Sequence, residues 1–267
     1  MSKKYQFLAA NNKEQLSDLK KQWLRILTSP QDGMWDAFRN YASPIAILDA
    51  DNWMGYACIR DNHELIQFYI LPEYMSEGLD IFKQLLAIKN IKTGIVGTNN
   101  PVFLSMAMHY TEELDVHTYL FRDSFDTLIE GKEGCLQVGK QEDIDTIVNF
   151  CHYSIGAPKD WLKGYIGGLA EKGEIYYFEN EETIIGTCEV RSSETAPQYM
   201  DIGMIVSPDF RKQGFGTFLL HQAKSIAIEK GKVPICSCEK DNVGSLKSIQ
   251  NCGFFSNFQL LSVDFKV

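Results

Sequence analysis

Apolar residues at Leu16, Leu19, Trp23, Ile26 and Leu27 recur at the spacing of one helical face and predict a helix over Asn12 to Leu27. The turn Pro30-Gln31-Asp32-Gly33 and a helical patch at Trp35 to Tyr41 follow. Three runs then read as strands: Pro44 to Leu48, Met54 to Ile59 and Leu65 to Leu71. The pattern next predicts a helix over Ser76 to Lys89, a strand over Thr93 to Val96, a short helix over Pro101 to Tyr110 and a strand over Val116 to Phe121. Arg122 to Gly134 is polar and glycine-bearing, and it divides the chain into domains 1–128 and 129–267.

The second half repeats the style of the first. Leu136 to Gly139 reads as a strand, Glu142 to Cys151 and Asp160 to Glu171 as helices, and Ile175 to Phe178 and Ile184 to Val190 as strands around a polar turn. Tyr199 to Val206 (strand), Phe215 to Lys230 (helix), Pro234 to Cys238 (strand), Val243 to Asn251 (helix) and Phe258 to Phe265 (strand) complete the chain. Mostly antiparallel strands with inserted helices predict the α+β class. The halves also align locally. Leu71-Pro72-Glu73-Tyr74 matches Ser207-Pro208-Asp209-Phe210, Gly78 matches Gly214, Phe82 matches Phe218, and Asn100 and Leu104 match Asn242 and Leu246. Met75 stands where the second copy has Arg211, and Asp80 where it has Gly216. Two copies of one fold are expected, the first without an anion site, because a carboxylate at the Gly216 position would repel a phosphate. Chance similarity of strand-turn-helix units is the other explanation.

Candidate chemistry concentrates at Val206-Ser207-Pro208-Asp209-Phe210-Arg211-Lys212-Gln213-Gly214-Phe215-Gly216. A strand, a glycine turn and a helix start together form an anion socket: glycines let the backbone approach, amides point at the anion, and the helix dipole favours negative charge. Arg211 and Lys212 would add charge at its rim. No Gly-Lys-Ser/Thr follows, so this is not a P-loop, and Gly-x-Gly-x-x-Gly is absent, so it is not a dinucleotide fingerprint. A plain strand-to-helix turn with Arg211 in solvent is the alternative.

With Val206, Pro208, Arg211, Gly214 and Gly216 followed by Asn242, Ser245, Gly253 and Phe254, residues 136 to 267 resemble the GNAT superfamily of acetyl-CoA-dependent N-acetyltransferases. The resemblance implies a tandem protein of two GNAT-like domains, each a mixed, mainly antiparallel sheet with helices on both faces, the first degenerate. It implies acetyl-CoA as cosubstrate, with Gln213, Gly214, Phe215, Gly216 and Thr217 around the pyrophosphate, beside Arg211 and Lys212. Ile205 and Val206 are expected to pair with the pantetheine arm on a strand that splays from its neighbour, and Asn242 and Ser245 to touch that arm. An N-cap role for Asn242 is the plain alternative.

Composition narrows the rest. The 267 residues are 45% hydrophobic and 23% charged, as in a soluble globular chain. No apolar run approaches the ~20 residues that span a bilayer, and no apolar core follows Met1-Ser2-Lys3-Lys4-Tyr5. Seven scattered cysteines suggest reduced thiols, hence a cytoplasmic protein. Cys236-x-Cys238 has the wrong spacing for a common zinc site and reads as a buried strand face, so no metal is expected. The net charge of −9 and the lack of a basic stripe argue against nucleic acid. An acidic chain with one basic socket suits an anionic cofactor and a cationic or neutral acceptor, although acidity also serves solubility. No membrane partner is expected, and the sequence sets no oligomeric state.

Acetyl transfer needs a neutral amine, and an amine of pKa near 10.4 is neutral in only about one molecule in 2,500 at pH 7. A carboxylate base is therefore expected. Asp201 is the first candidate and Glu189, on the preceding strand, the second; Glu239 is the third. Many relatives place a tyrosine four residues before the Gly-Phe pair to protonate the leaving thiolate, where this chain has Ile249. Ser248, Tyr199 or Tyr153 could substitute, and a thiolate can also leave without a dedicated acid. The expected function is N-acetylation of a small-molecule amine by direct attack in a ternary complex. A non-catalytic acyl-CoA-binding protein and a transferase of longer acyl chains are the alternatives.

Overall fold

The computed structural model describes residues 4–31, 33, 35, 42–124 and 132–266. The chain forms two compact units, 1–119 with 258–267, and 120–257. The sequence division at 128 and 129 left the last ten residues with the second half; by packing they belong to the first unit. The helical patch predicted at Trp35 to Tyr41 lies largely outside the described residues.

In the first unit, β1 (Gln6–Ala9), β2 (Ser43–Asp49), β3 (Asn52–Ile59) and β4 (Glu64–Ile70) are antiparallel neighbours in that order. β4 then runs parallel to β5 (Thr93–Gly97). The far side of β5 takes Leu260–Asp264, antiparallel, from β12 (Phe254–Phe265). The β4–β5 ladder consists of Glu64↔Thr93 and Leu65↔Gly94 only. Helices pack on both faces. α1 (Lys13–Ile26) reaches Tyr69, whose hydroxyl donates to Gln22 at 3.4 Å. α2 (Gly78–Ile88) and α3 (Pro101–Met108) hold Phe82 and Phe103 against Phe68, with Phe82 crossing Phe68 edge to face at 4.9 Å. Tyr69 and Phe68 are adjacent on one strand and so point to opposite faces. Phe265 completes this aromatic core at 5.8 Å from Phe82.

The second unit repeats the scheme. β7 (Gln137–Val138), β8 (Ile175–Asn180), β9 (Thr183–Ser192) and β10 (Tyr199–Val206) are antiparallel neighbours, and β10 runs parallel to β11 (Val233–Glu239). α4 (Ile144–Ile155) and α5 (Lys159–Lys172) pack around Ile147, Ile166 and Ile175, with Ile205 of β10 against the same cluster. α6 (Phe215–Glu229) packs on β9 and β10 from the other side, beside α7 (Val243–Asn251). Each unit is thus a mixed, mainly antiparallel sheet with helices on both faces.

Some boundaries match the hydrophobic pattern and others slip. β10 and α7 carry the expected limits. β1 has a single buried residue, Phe7, and gives no periodicity to read. β6 (Thr111–Asp123) begins five residues before the predicted Val116, because its first five residues are polar or exposed.

Candidate functional site

β10 pairs with β9 along nearly its whole length, Met200↔Ser192 to Val206↔Gly186. On its other side it pairs with β11 only at Tyr199↔Val233, Met200↔Pro234 and Asp201↔Ile235. From Ile202 onward the parallel neighbours have parted, which leaves a strand edge beside an opening, as expected from the resemblance. Ile205 and Val206 lie half-buried on this edge. The Val206 carbonyl, however, already accepts Arg211 Nε at 3.2 Å. One of its two lone pairs is thus taken.

A short 3-10 turn at Pro208–Phe210 leads into a loop with two left-handed residues, Lys212 at φ 60° and Gly214 at φ 85°. A left-handed conformation is easy for glycine and costly for lysine, and such strain concentrates at ligand-binding loops. Alternating backbone hands turn successive amides inward into an anion-binding concavity. α6 starts directly after, with no side chain capping it. Its first intrahelical amide is Phe218, bonded to the Gly214 carbonyl at 3.1 Å. The amides of Phe215, Gly216 and Thr217 precede that bond and point out of the helix start. A Cβ on Gly216 would meet Ser248 Oγ at 2.7 Å. Glycine there lets α6 and α7 approach closely.

Arg211 is exposed on the loop, and its guanidinium is engaged by the protein. Its side chain is a clamp: Nε holds the end of β10, and a terminal nitrogen donates to the Ser154 carbonyl at 2.7 Å. Ser154 lies in the last turn of α4, where unsatisfied carbonyls attract a cation. Two lysines bring further positive charge near the loop: Lys212, exposed on it, and Lys132. Lys132 Nζ sits 3.7 Å from the centroid of the Phe215 ring, at the first residue of α6. Nothing in the sequence pattern marks Lys132, because it is distant along the chain. Gln213 donates from its amide to the Asp209 carbonyl at 3.1 Å, which stiffens the loop.

Asn242 caps α7, its side chain accepting the Ser245 amide at 3.1 Å, the plainer of its two expected roles. Ile249 is 3% exposed and belongs to the core. Ser248, one residue earlier, places its hydroxyl at the α6 start. Tyr153 donates to Asp209 at 3.2 Å, and that bond keeps its phenol protonated to higher pH than usual. Tyr199 begins β10, two residues before the splay and at the opposite end from the loop.

The remaining chemistry lies on the sheet face covered by α4 and α5. Asp201 is 2% exposed and occupies the last paired rung before β10 and β11 part. Arg191 lies opposite Asp201 on β9, and Glu189 opposite Gly203. Directly opposite residues share a face. Glu189 Oε2 accepts the Tyr165 hydroxyl at 2.6 Å and pairs with Arg191 Nε at 3.2 Å. Arg191 also donates to the Tyr165 oxygen at 3.1 Å. Burial first, and then the Glu189 charge, push the Tyr165 phenol far up, so it stays a donor. The same burial lifts the Cys151 thiol to about 11, which makes it inert. Tyr165 and Arg191 were missed by sequence reasoning; the signal available was the alternation of Glu189 with Arg191 on one strand. Glu239 is exposed at the end of β11.

Among the described residues, no group of three or more potential metal ligands clusters together, and no helix is long and apolar enough to cross a membrane.

Comparison with protein families matches residues 12–124 to an acetyltransferase (GNAT) domain and residues 117–254 to the acetyltransferase (GNAT) family. Among solved structures, an acetyltransferase from the GNAT family of Colwellia psychrerythraea superposes with a TM-score of 0.92 at 26% identity, over 98% of this chain and 100% of that one. A tandem GNAT protein from the clavulanic acid biosynthesis pathway gives 0.65 at 14% identity, over 97% and 98%. A GCN5-related N-acetyltransferase from Sphaerobacter thermophilus gives 0.64 at 12%, over 98% and 95%. The last two establish the fold alone. Comparison with curated proteins gives no significant match.

Proposed function

We propose that this chain, which belongs to the GNAT acetyltransferase family, moves an acetyl group from acetyl-CoA to a primary amine of a small molecule in its second unit. Membership supports acyl transfer from acyl-CoA; the acetyl group, the amine and the mechanism are our reading. The observation that carries it is the coincidence of two features. The β10–β11 ladder stops at Asp201, and the same strand ends in a left-handed loop feeding an uncapped helix start. One feature suits an extended amide-bearing arm and the other a pyrophosphate.

The residues divide the work. Amides of Gln213 to Gly216 receive the pyrophosphate, with Lys212 and Lys132 supplying charge. The β10 edge after Asp201 pairs with the pantetheine amides, and Arg211 fixes the loop relative to that edge. The bound thioester supplies an activated acetyl carbonyl. Asp201 takes one proton from the acceptor ammonium; the neutral amine then attacks the carbonyl, the C–N bond forms, the C–S bond breaks with its electron pair leaving on sulfur, and the second nitrogen proton passes to that thiolate. A base in this role is worth about 10²–10⁴ in rate. Glu189, already engaged by Tyr165 and Arg191, holds the face in shape. A thiol of pKa near 8.5 is a leaving group that needs no dedicated acid.

Turnover of acetyl-CoA with a panel of amines, read as free-thiol release, tests the chemistry. Calorimetric titration with coenzyme A tests the socket. Gly216→Glu is expected to abolish binding in a folded protein, and unchanged affinity would refute the socket.

A further inference from the structure

Residues 132–136 lead into β7 and bring Lys132 to the start of α6. Gly134 has φ 121°, a conformation that other residues rarely adopt, and a Cβ on it would meet the Phe178 ring at 2.6 Å. Glycine therefore lets this segment run close against Phe178. Phe178 packs edge-on to Phe218 at 5.2 Å and tilts against Phe215 at 6.3 Å. Phe210, from the turn after β10, meets Phe215 edge-on at 5.9 Å. Two rings thus brace Phe215, and Lys132 takes its face, with Nζ 3.7 Å from the centroid. The lysine stem also lies against the loop: a Cβ on Gly214 would stand 3.6 Å from Lys132 Cε. Among the described residues, no carboxylate pairs with this ammonium. The positive end of α6 disfavours a cation here, and the ring face offsets that cost. An anion between the two would turn the repulsion into attraction. The first unit lacks this arrangement. With Gly78 aligned to Gly214, Leu79 stands where the second unit has Phe215. The aromatic seat and the left-handed loop therefore occur together, in one copy only.

We propose that Lys132 is a strap over the cofactor: its ammonium leaves the Phe215 ring for a phosphate of coenzyme A at the loop, and so slows release. The inference rests on the coenzyme A site assigned above. Arg211 cannot move in this way without releasing the Val206 and Ser154 carbonyls that its guanidinium holds. Lys132 has only a ring contact to give up, and a charge-assisted contact to phosphate is the stronger of the two. Ordering a free lysine side chain costs rotamer entropy. A stem already laid against Gly214 and Phe215 has lost part of that freedom before the phosphate arrives, which favours binding.

The test compares the full-length wild type with Lys132→Met, Lys132→Arg and, as a control, Lys230→Met. Methionine keeps an apolar stem for the Phe215 ring and removes the charge. Lys230 follows the last residue of α6, at its other end, with Nζ 3.2 Å from the Tyr176 hydroxyl. Its loss changes net charge equally. Calorimetry and surface plasmon resonance measure binding of coenzyme A and of dephospho-coenzyme A, which lacks the ribose phosphate; melting curves verify folding. Lys132→Met is expected to weaken coenzyme A binding about 10-fold, the worth of one charged hydrogen bond, chiefly through faster release. Lys132→Arg is expected to recover most of that affinity. Lys230→Met should stay within about twofold of wild type, since a remote exposed charge is screened. An equal loss with both ligands places the contact at the pyrophosphate, and a loss with coenzyme A alone places it at the ribose phosphate; either supports the strap. A folded Lys132→Met with wild-type affinity overturns it, as does an equal loss in Lys230→Met. A loss confined to the association rate also overturns it, by reducing Lys132 to long-range steering. A wild type that binds no coenzyme A overturns the cofactor site itself, and the strap with it.

Discussion

The two units place the same strand, proline turn and helix in the same order, and they differ in how far the strand is covered and in the backbone of the turn. Past its two paired rungs with β5, β4 is buried at every residue from Ile66 to Ile70. Past its three rungs with β11, β10 is half-open from Gly203 to Val206. From Pro72 to Gly78 the chain is helical throughout, with Gly78 at φ −55° and ψ −42°, so the short helix runs straight into α2. Over the same number of residues, Pro208 to Gly214 leaves helical conformation and makes a loop with two left-handed residues. Gly78 matches Gly214 in sequence but serves packing: a Cβ there would meet Met106 at 2.7 Å and Ile70 at 2.8 Å. The carboxylate of Asp80 accepts Gln84 at 3.2 Å on the helix flank. The two turns thus differ in backbone and packing, and not in the Met75 and Asp80 side chains alone.

The largest expected effects test that contrast directly. Gly214→Glu places charge and a side chain where φ is 85°, and coenzyme A binding is expected to vanish in calorimetry. Met75→Arg with Asp80→Gly restores the motif letters to the first unit, yet stoichiometry is expected to remain one coenzyme A per chain, because no loop or opening accompanies them. A second site in that variant would show that side chains alone decide.

Next in size is Asp201→Asn. Loss of a base acts on the transition state, so kcat at neutral pH should fall by about 10²-fold or more with coenzyme A affinity little changed. The parallel Glu189→Gln variant removes charge from the Tyr165–Arg191 assembly and is expected to fall by less. A fully active Asp201→Asn beside a dead Glu189→Gln would transfer the base to Glu189.

The strand, loop and helix start that we propose as the socket were legible in the sequence because their determinants are local: glycines, a proline and a helix start within eleven residues. The internal duplication was legible for the same reason, and so was the general order of strands and helices. What the sequence hid depends on contacts between distant segments. The clamp that Arg211 makes on Val206 and on Ser154, the latter 57 residues earlier, cannot be read from the local motif. Lys132 reaches Phe215 from before β7, and Tyr165 reaches Glu189 from α5. The assignment of residues 258–267 to the first unit is equally non-local, since strand pairing with β5 rather than chain proximity decides it.

A smaller effect should separate packing from binding. Gly78→Ala puts a methyl against Met106 and Ile70, and both neighbours are side chains that can yield partly. Overpacking of this kind costs about 1–3 kcal/mol, so the melting temperature should fall while coenzyme A affinity stays the same. A drop in affinity would mean that the first unit's packing bears on the socket.

The smallest expected effect distinguishes the two roles of Asn242. Its counterpart Asn100 caps α3 in the first unit, accepting the Phe103 amide at 3.2 Å, where no cofactor is expected. The cap is thus built in both copies, with or without chemistry. Asn242→Ala should cost about 1 kcal/mol of stability, the usual worth of such a cap, and Asn100→Ala a similar amount. Asn242→Asp keeps an acceptor for the Ser245 amide and should restore the stability. If Asn242 also holds the pantetheine arm through its NH2 group, Asn242→Asp will weaken coenzyme A binding although it rescues folding. Equal affinity in Asn242→Asp and wild type would leave Asn242 as a cap alone, and the two copies alike at this position.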